Sequence, residues 1–246
     1  MIERRSLGDF LRRNPFERGW TDGLFYREKM RAIHRIAPPS LMADAQLLEI
    51  GGGRSRMAKM LFPKAHVVTL DIDPSLKPDE TADDRSTFVC GDARDLPFPD
   101  QSFDLVTLFD VLEHVDDDQK AAREAMRVTR PGGWVLISTP CADWHYPYYA
   151  FMQPVCPPEK VLMDEWGHVR RGYEPEALTA LFGRAPNLKA SFINRGTAFY
   201  HDVAFSRLGS RKRKLLYVAA ALPTLIAYAF HGRSTRGTEM ACAWRM

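Results

Sequence analysis

From Gln46 onward, short apolar runs alternate with stretches of helical periodicity. Such alternation is the mark of successive βαβ units laid into a mostly parallel sheet, and it excludes all-helical and all-strand architectures. The spacing predicts strands over Gln46–Ile50, His66–Asp71, residues 87–91, Phe103–Phe109 and residues 134–138. Helices are expected near 55–62 and 119–129, the second stopped and turned by Pro131, Gly132 and Gly133. A further helix should begin near Glu174, with Pro175 in its first turn, and late strands follow over 189–194 and 240–245. Ahead of the sheet, Leu24, Met30, Ile33 and Ile36 recur at roughly helical spacing with Arg27, Arg31 and Arg35 between them, which predicts a cap helix. The chain then divides into basic cap helices over 1–40, an α/β core over 41–195, an apolar and basic insertion over 196–237, and a final core strand over 238–246.

With 246 residues, 45% of them hydrophobic, the chain suffices for one substantial core with elaborations. Residues 1–16 are broken by Arg4, Arg5, Asp9, Arg12 and Arg13, so they lack the apolar stretch of a secretory signal, and a cytoplasmic location is expected. Cys90, Cys141, Cys156 and Cys242 have no paired spacing, which predicts reduced thiols and no structural metal. The net charge of +3 hides an uneven distribution, because both ends are basic and the centre is acidic. Basic flanks suit phosphates on a membrane, on a lipid-linked substrate or on a nucleic acid, and equally suit a solvated surface.

The chemistry concentrates in Leu47-Leu48-Glu49-Ile50-Gly51-Gly52-Gly53-Arg54-Ser55, an apolar strand that runs through glycines into a helix. Glycines let a ligand approach the backbone and accept positive φ, although a tight turn alone also uses them. The acids that follow add weight. Asp71, about 20 residues on at the end of the next strand, is placed to accept both hydroxyls of a ribose. Asp92 ends the third strand, where a carboxylate can accept from an exocyclic adenine amine. Glu49, Asp71 and Asp92 thus fall at three successive strand ends on one rim of the sheet, where ligands of such folds bind.

Several ordered segments, namely Glu49-Ile50-Gly51-Gly52-Gly53, Asp71-Ile72-Asp73-Pro74, Gly91-Asp92-Ala93-Arg94-Asp95-Leu96-Pro97-Phe98, Phe103-Asp104-Leu105-Val106, Leu112-Glu113-His114-Val115 and Arg127-Val128-Thr129-Arg130-Pro131-Gly132-Gly133, resemble the motifs of class I S-adenosylmethionine-dependent methyltransferases. The likeness covers roughly residues 45 to 182, and lies with the subgroup that modifies quinones, sugars and lipids. It implies a Rossmann-like α/β fold with a seven-stranded, mostly parallel sheet, helices on both faces and an antiparallel last strand. It also implies S-adenosylmethionine as cofactor and a small-molecule acceptor, lipid-linked in some relatives. By the resemblance, Gly51 and Gly53 line the methionine part with Glu49 nearby, Asp71 holds the ribose, Ile72 is a further cofactor-binding residue, Asp92 and Ala93 hold the adenine, and Phe109 and Asp110 complete the pocket. One departure is Ser55 in place of the usual third glycine, a residue that can cap the helix start.

A nicotinamide-dependent oxidoreductase also uses a glycine turn and a downstream acid, but its pattern needs glycine where this chain has Arg56. A nucleic-acid methyltransferase is disfavoured because Phe109-Asp110-Val111-Leu112 lacks the Asn/Asp-Pro-Pro-aromatic sequence of enzymes that act on a flipped adenine, so no nucleic-acid partner is expected. A non-catalytic cofactor-binding protein stays open, since fold does not fix function. Methyl transfer needs alignment and a general base, and His114, just beyond the fourth strand, has the intrinsic pKa for it; it equally suits packing the following helix. His145 and Tyr146, in the aromatic run 141–149, and His168 are further candidates for handling an acceptor hydroxyl, unless the run simply packs its loop. Arg211-Lys212-Arg213-Lys214 precedes an apolar run over 215–230 that is interrupted by Pro223 and is too short to span a bilayer. It fits peripheral contact with an anionic membrane through 211–230 or a hold on the apolar part of a lipid-like acceptor, or else a buried helix that packs under the sheet or closes the active site.

Overall fold

The computed structural model describes residues 20–38, 44–53, 56–77, 85–231 and 236–246. Expectations resting on residues 1–19 and on Ser55 lie outside the described residues. Seven strands form one sheet: β1 (Gln46–Ile50), β2 (His66–Asp71), β3 (Ser86–Cys90), β4 (Phe103–Phe109), β5 (Thr129–Pro140), β6 (Leu188–Phe192) and β7 (Glu239–Arg245), in the order β3-β2-β1-β4-β5-β7-β6. Strands β3 to β5 pair in parallel, and β7 runs antiparallel to both β5 and β6. This is the Rossmann-like sheet with an antiparallel last strand expected from the sequence.

The apolar runs explain the core. β1 and β4 are apolar almost throughout because helices cover both faces, which a parallel sheet requires. On one face lie α1 (Trp20–Ile36) and α2 (Met57–Leu61), with Ile33, Ile36, Met57 and Leu61 packed against Leu47 and Leu105. On the other, α3 (Asp118–Val128) presents the small stripe Ala121, Ala122, Ala125 and Val128, and α5 (Pro175–Leu181) adds Leu178. Asp117 starts α3 by accepting from the Lys120 amide at 2.9 Å. Between β5 and α5 lies the short α4 (Glu159–Trp166); α6 (Arg195–Ala204) and α7 (Ser210–Phe230) lie between β6 and β7.

Several boundaries differ from the expectations for physical reasons. Pro131-Gly132-Gly133 does not separate a helix from a strand starting at 134. β5 begins at Thr129, opposite Phe103, and its next pairing partners are Leu105 and Trp134. The three residues are a bulge inside the strand, with Gly132 at φ +80°. A side chain on Gly133 would meet the Arg130 and Asp104 carbonyl oxygens at 2.9 and 3.0 Å, so the bulge needs glycine there. Asn194 does not extend β6; its side chain accepts from the Gly196 and Thr197 amides and caps α6. Pro223 does not end α7, which runs as one 21-residue helix on α6 at the surface rather than under the sheet.

Candidate functional site

The sheet order reverses direction between β1 and β4, and open α/β sheets bind ligands in the crevice at the carboxyl ends of the strands at such a point. The turn after β1 is shaped for close approach. Gly51 and Gly53 have φ of +65° and +51°. A side chain on Gly51 would lie 2.5 Å from Val111, whereas one on Gly53 would meet nothing nearer than 4.0 Å, so Gly53 presents bare backbone to open space. Arg56, at the position where a dinucleotide turn needs glycine, begins α2 in a left-handed conformation.

The predicted rim residues take different posts. Asp71 accepts from the Gly53 amide at 3.0 Å and from the Asp73 amide at 3.1 Å, one bond to each carboxylate oxygen, which ties the glycine turn to the end of β2. Two lone-pair directions stay available on that carboxylate. Beside it Ile72 is 69% exposed, an apolar platform at the rim. Asp92 is gripped by its own neighbour: Arg94 donates from its amide at 2.8 Å and from Nε and Nη2 at 2.7 to 3.1 Å. That fork holds the Asp92 carboxyl below the usual carboxylate range, and Ala93 lies in the same turn. Glu49 points inward instead of toward the crevice. It accepts from the Ala58 amide at 2.8 Å and the Thr69 hydroxyl at 3.3 Å, and burial pushes its carboxyl up to about 7. Its place is beneath the glycine turn, holding the first turn of α2.

Phe109 is buried, and Asp110 follows it in the left-handed region at φ 54°. The Ser138 hydroxyl donates to Asp110 Oδ1 at 2.7 Å, and Lys29 of α1 forms an ion pair with Oδ2. Lys29 is only 2% exposed and escaped the sequence reading because it sits in the charged run Arg27-Glu28-Lys29. The signal was there in the spacing, since Ile33 and Ile36 follow it at i+4 and i+7 and place it on the buried stripe. Two further acids were missed. Glu113 and Glu239 are buried near Asp110, and burial followed by the Asp110 charge pushes both carboxyls up, Glu113 to about 8.

His114 is exposed at the end of a 3₁₀ turn, Leu112–His114, that follows β4. Its Nδ1 lies 3.2 Å from the Gly167 carbonyl oxygen. A carbonyl only accepts, so Nδ1 carries the hydrogen and Nε2 has the lone pair of a base. The His168 ring stands edge-on to it at 4.6 Å, and burial depresses His168 to about 4. Glu113, His114 and His168 bring ligand atoms within 4.8 Å of one another. Burial favours the neutral form of Glu113. The turn is clamped by Arg170, which donates to the Leu112 and Val115 carbonyls at 2.6 Å each, and by Tyr173, whose hydroxyl donates to Asp118 at 2.7 Å.

The aromatic loop after β5 separates the remaining candidates. His145 is exposed and stacks on Tyr148 at 5.0 Å. Tyr146 is buried, donates to the Asp202 carbonyl at 3.3 Å, and burial raises its phenol well above the usual range. Asp202, which no sequence pattern marked, organises this loop by accepting from the Tyr148 and Tyr149 amides at 2.8 Å each. Cys141 is pushed up to about 12 by burial, which suits a packing thiol.

Residues 48–137 match a family model described as a methyltransferase domain. The ubiquinone/menaquinone biosynthesis C-methyltransferase of Hahella chejuensis is 35% identical over 142 residues, covering 48% of this chain and 57% of that protein. The 2-methyl-6-phytyl-1,4-hydroquinone methyltransferase of Synechocystis is 28% identical over 193 residues, covering 70% and 55%. The chain thus spans little more than half the length of these relatives. A solved S-adenosylmethionine dependent methyltransferase from Mesorhizobium loti, 16% identical, superposes with a TM-score of 0.59 over 92% of this chain and 100% of that one, a likeness of fold.

Proposed function

We propose that the chain is a class I S-adenosylmethionine-dependent methyltransferase that binds S-adenosylmethionine at the switch-point crevice and methylates a small-molecule acceptor, one borne by a lipid-like carrier, a reading supported by the methyltransferase-domain match over residues 48–137. The reading places this work in the cytoplasm, at the membrane face. The observation that carries the proposal is the gathering of the Gly51–Gly53 turn, Asp71, Ile72 and Asp110 at the rim where β1 and β4 part. The bound cofactor supplies a methyl group on a cationic sulfonium, a leaving group that needs no protonation.

The chain's own residues supply position and a proton acceptor. Asp71 has lone pairs for ribose hydroxyls, and Ile72 offers an apolar surface for the adenine. Asp92 and Ala93 border the adenine edge, Gly51 and Gly53 border the methionine part, and Phe109 with Asp110 closes the floor. Asp110 is held by Lys29 and Ser138, so it enters the site already oriented. The resulting fixed geometry serves an in-line displacement. His114 Nε2 takes the acceptor proton, while the Gly167 carbonyl fixes the tautomer.

The proposed nucleophile is a hydroxyl oxygen. A second reading, methylation at carbon, is favoured by the C-methyltransferase named among the relatives. Isothermal titration with S-adenosylmethionine and with NAD tests the cofactor. Binding of the first alone is expected, and binding of NAD alone overturns the reading. Incubation with labelled S-adenosylmethionine and a panel of prenylated hydroquinones, followed by NMR of the product, then separates oxygen from carbon.

A further inference from the structure

The outward face of α7 is apolar. Leu215 is 71% exposed, Val218 73%, Leu222 68% and Phe230 83%, and Leu225 and Ile226 are also exposed. These positions recur at helical spacing, so they form one continuous stripe rather than scattered residues. The opposite face satisfies the protein. Tyr217 and Thr224 are buried, the Tyr200 hydroxyl donates to the Tyr217 carbonyl at 2.5 Å, and the Asn194 side chain donates to the Ala227 carbonyl at 2.9 Å. Gly196 lets α6 and α7 touch, since a side chain there would lie 2.3 Å from the Ala227 methyl. The stripe is therefore left over after α7 has docked on its own protein.

The basic residues at its start point the same way. Arg213 turns back to donate to the Ala204 carbonyl at 3.0 Å, while Arg211, Lys212 and Lys214 are exposed. Cations in the first turn oppose the helix macrodipole, and no acid in that turn offsets them. Neither the stripe nor the cluster serves the stability of the folded chain in water. No helix among the described residues is long and apolar enough to cross a membrane.

We propose that α7 is an interfacial docking helix for an anionic lipid bilayer, lying parallel to the surface with Leu215, Val218, Leu222, Ile226 and Phe230 in the acyl boundary and Arg211, Lys212 and Lys214 at the headgroups. The charge of the cluster selects an anionic bilayer over a second copy of this helix, because Ser210–Phe230 carries no Asp or Glu that could meet Arg211, Lys212 and Lys214. The inner face of α7 contributes Tyr217 to the buried cluster of Tyr200 on α6 with Trp144 and Tyr146 of the loop after β5, so α7 would lie between that loop and the bilayer. Docking goes beyond methyl transfer and does not depend on it.

The test is co-sedimentation of the full chain with phosphatidylcholine vesicles containing about 30% phosphatidylglycerol at low salt. Each basic residue near such a surface strengthens binding about fivefold. Reversing Arg211, Lys212 and Lys214 to Glu should therefore weaken it about a hundredfold, and Leu222→Ser with Val218→Ser about tenfold or more. These side chains are exposed, so the unfolding midpoint should not move, and added salt or uncharged vesicles should lower binding. Wild-type protein that stays in the supernatant overturns the proposal. So does a concentration-dependent dimer, without vesicle binding, that Val218→Glu dissociates.

Discussion

Single carboxylates at this rim are distinguished by what already holds them. Asp71 bridges two backbone amides and has lone pairs to spare, so Asp71→Ala should weaken S-adenosylmethionine binding by about 1.5–3 kcal/mol, read by calorimetry, through lost charge-assisted bonds. Asp92 is ionised and bound by Arg94, so Arg94→Ala should change cofactor affinity more gently than loss of the acid itself. The His114 ring lies against the Gly167 carbonyl and the His168 ring. His114→Ala should leave cofactor affinity intact and lower turnover about 10²- to 10⁴-fold, as expected for a sole base. Wild-type turnover in a folded variant removes it from the mechanism. The sequence marked these side chains because polar groups at strand ends have fixed spacing. It did not mark Lys29, Glu239 or Asp202, because burial of a charge depends on what lies opposite in space, and no local pattern records that.

Among the elements, the turn Leu112–His114 is held from outside by Arg170 and Tyr173. Arg170→Ala leaves the Leu112 and Val115 carbonyls without their donor. We expect a loss of about 1.5–3 kcal/mol in chemical denaturation, with a fall in turnover larger than any change in cofactor affinity. The existence and approximate position of the strands were legible from apolar runs, since a strand covered on both faces can be little else. The bulge in β5 was not, because Pro131-Gly132-Gly133 has the chemistry of a turn and only the partner strand decides that pairing continues across it. The outward stripe of α7 was likewise hidden, since an apolar run reports that a surface leaves water but not whether protein or lipid receives it.

The molecule as a whole should respond to pH in two opposed ways. Glu113, raised to about 8, holds a proton that the unfolded chain releases near 4.5, so its contribution to stability declines as pH rises from about 4.5 to 8. His168, lowered to about 4, is neutral in the fold but protonated when unfolded below 6.5, so its contribution declines as pH falls from about 6.5 to 4. Above pH 6.5 only the raised acids act, Glu113 together with Glu239 and Glu49, and stability should fall toward pH 8 by at most about 1.4 kcal/mol per unit for each such proton. Glu113→Gln should flatten the slope in denaturation curves collected between pH 6.5 and 8.5, and an unchanged slope would discount the buried acid. The sheet order has a consequence for how the chain reaches this state. β7 fills the gap between β5 and β6, yet it follows β5 by about a hundred residues and arrives after both neighbours. Until it inserts, β6 has no strand to pair with, β5 exposes an open edge, and α1 lacks part of the surface it packs on. Closing so long a loop makes this step slow, and an open edge meanwhile invites pairing with other chains. Refolding should therefore show a late phase in which amide protons of β5, β6 and β7 gain protection together, with yield falling as protein concentration rises.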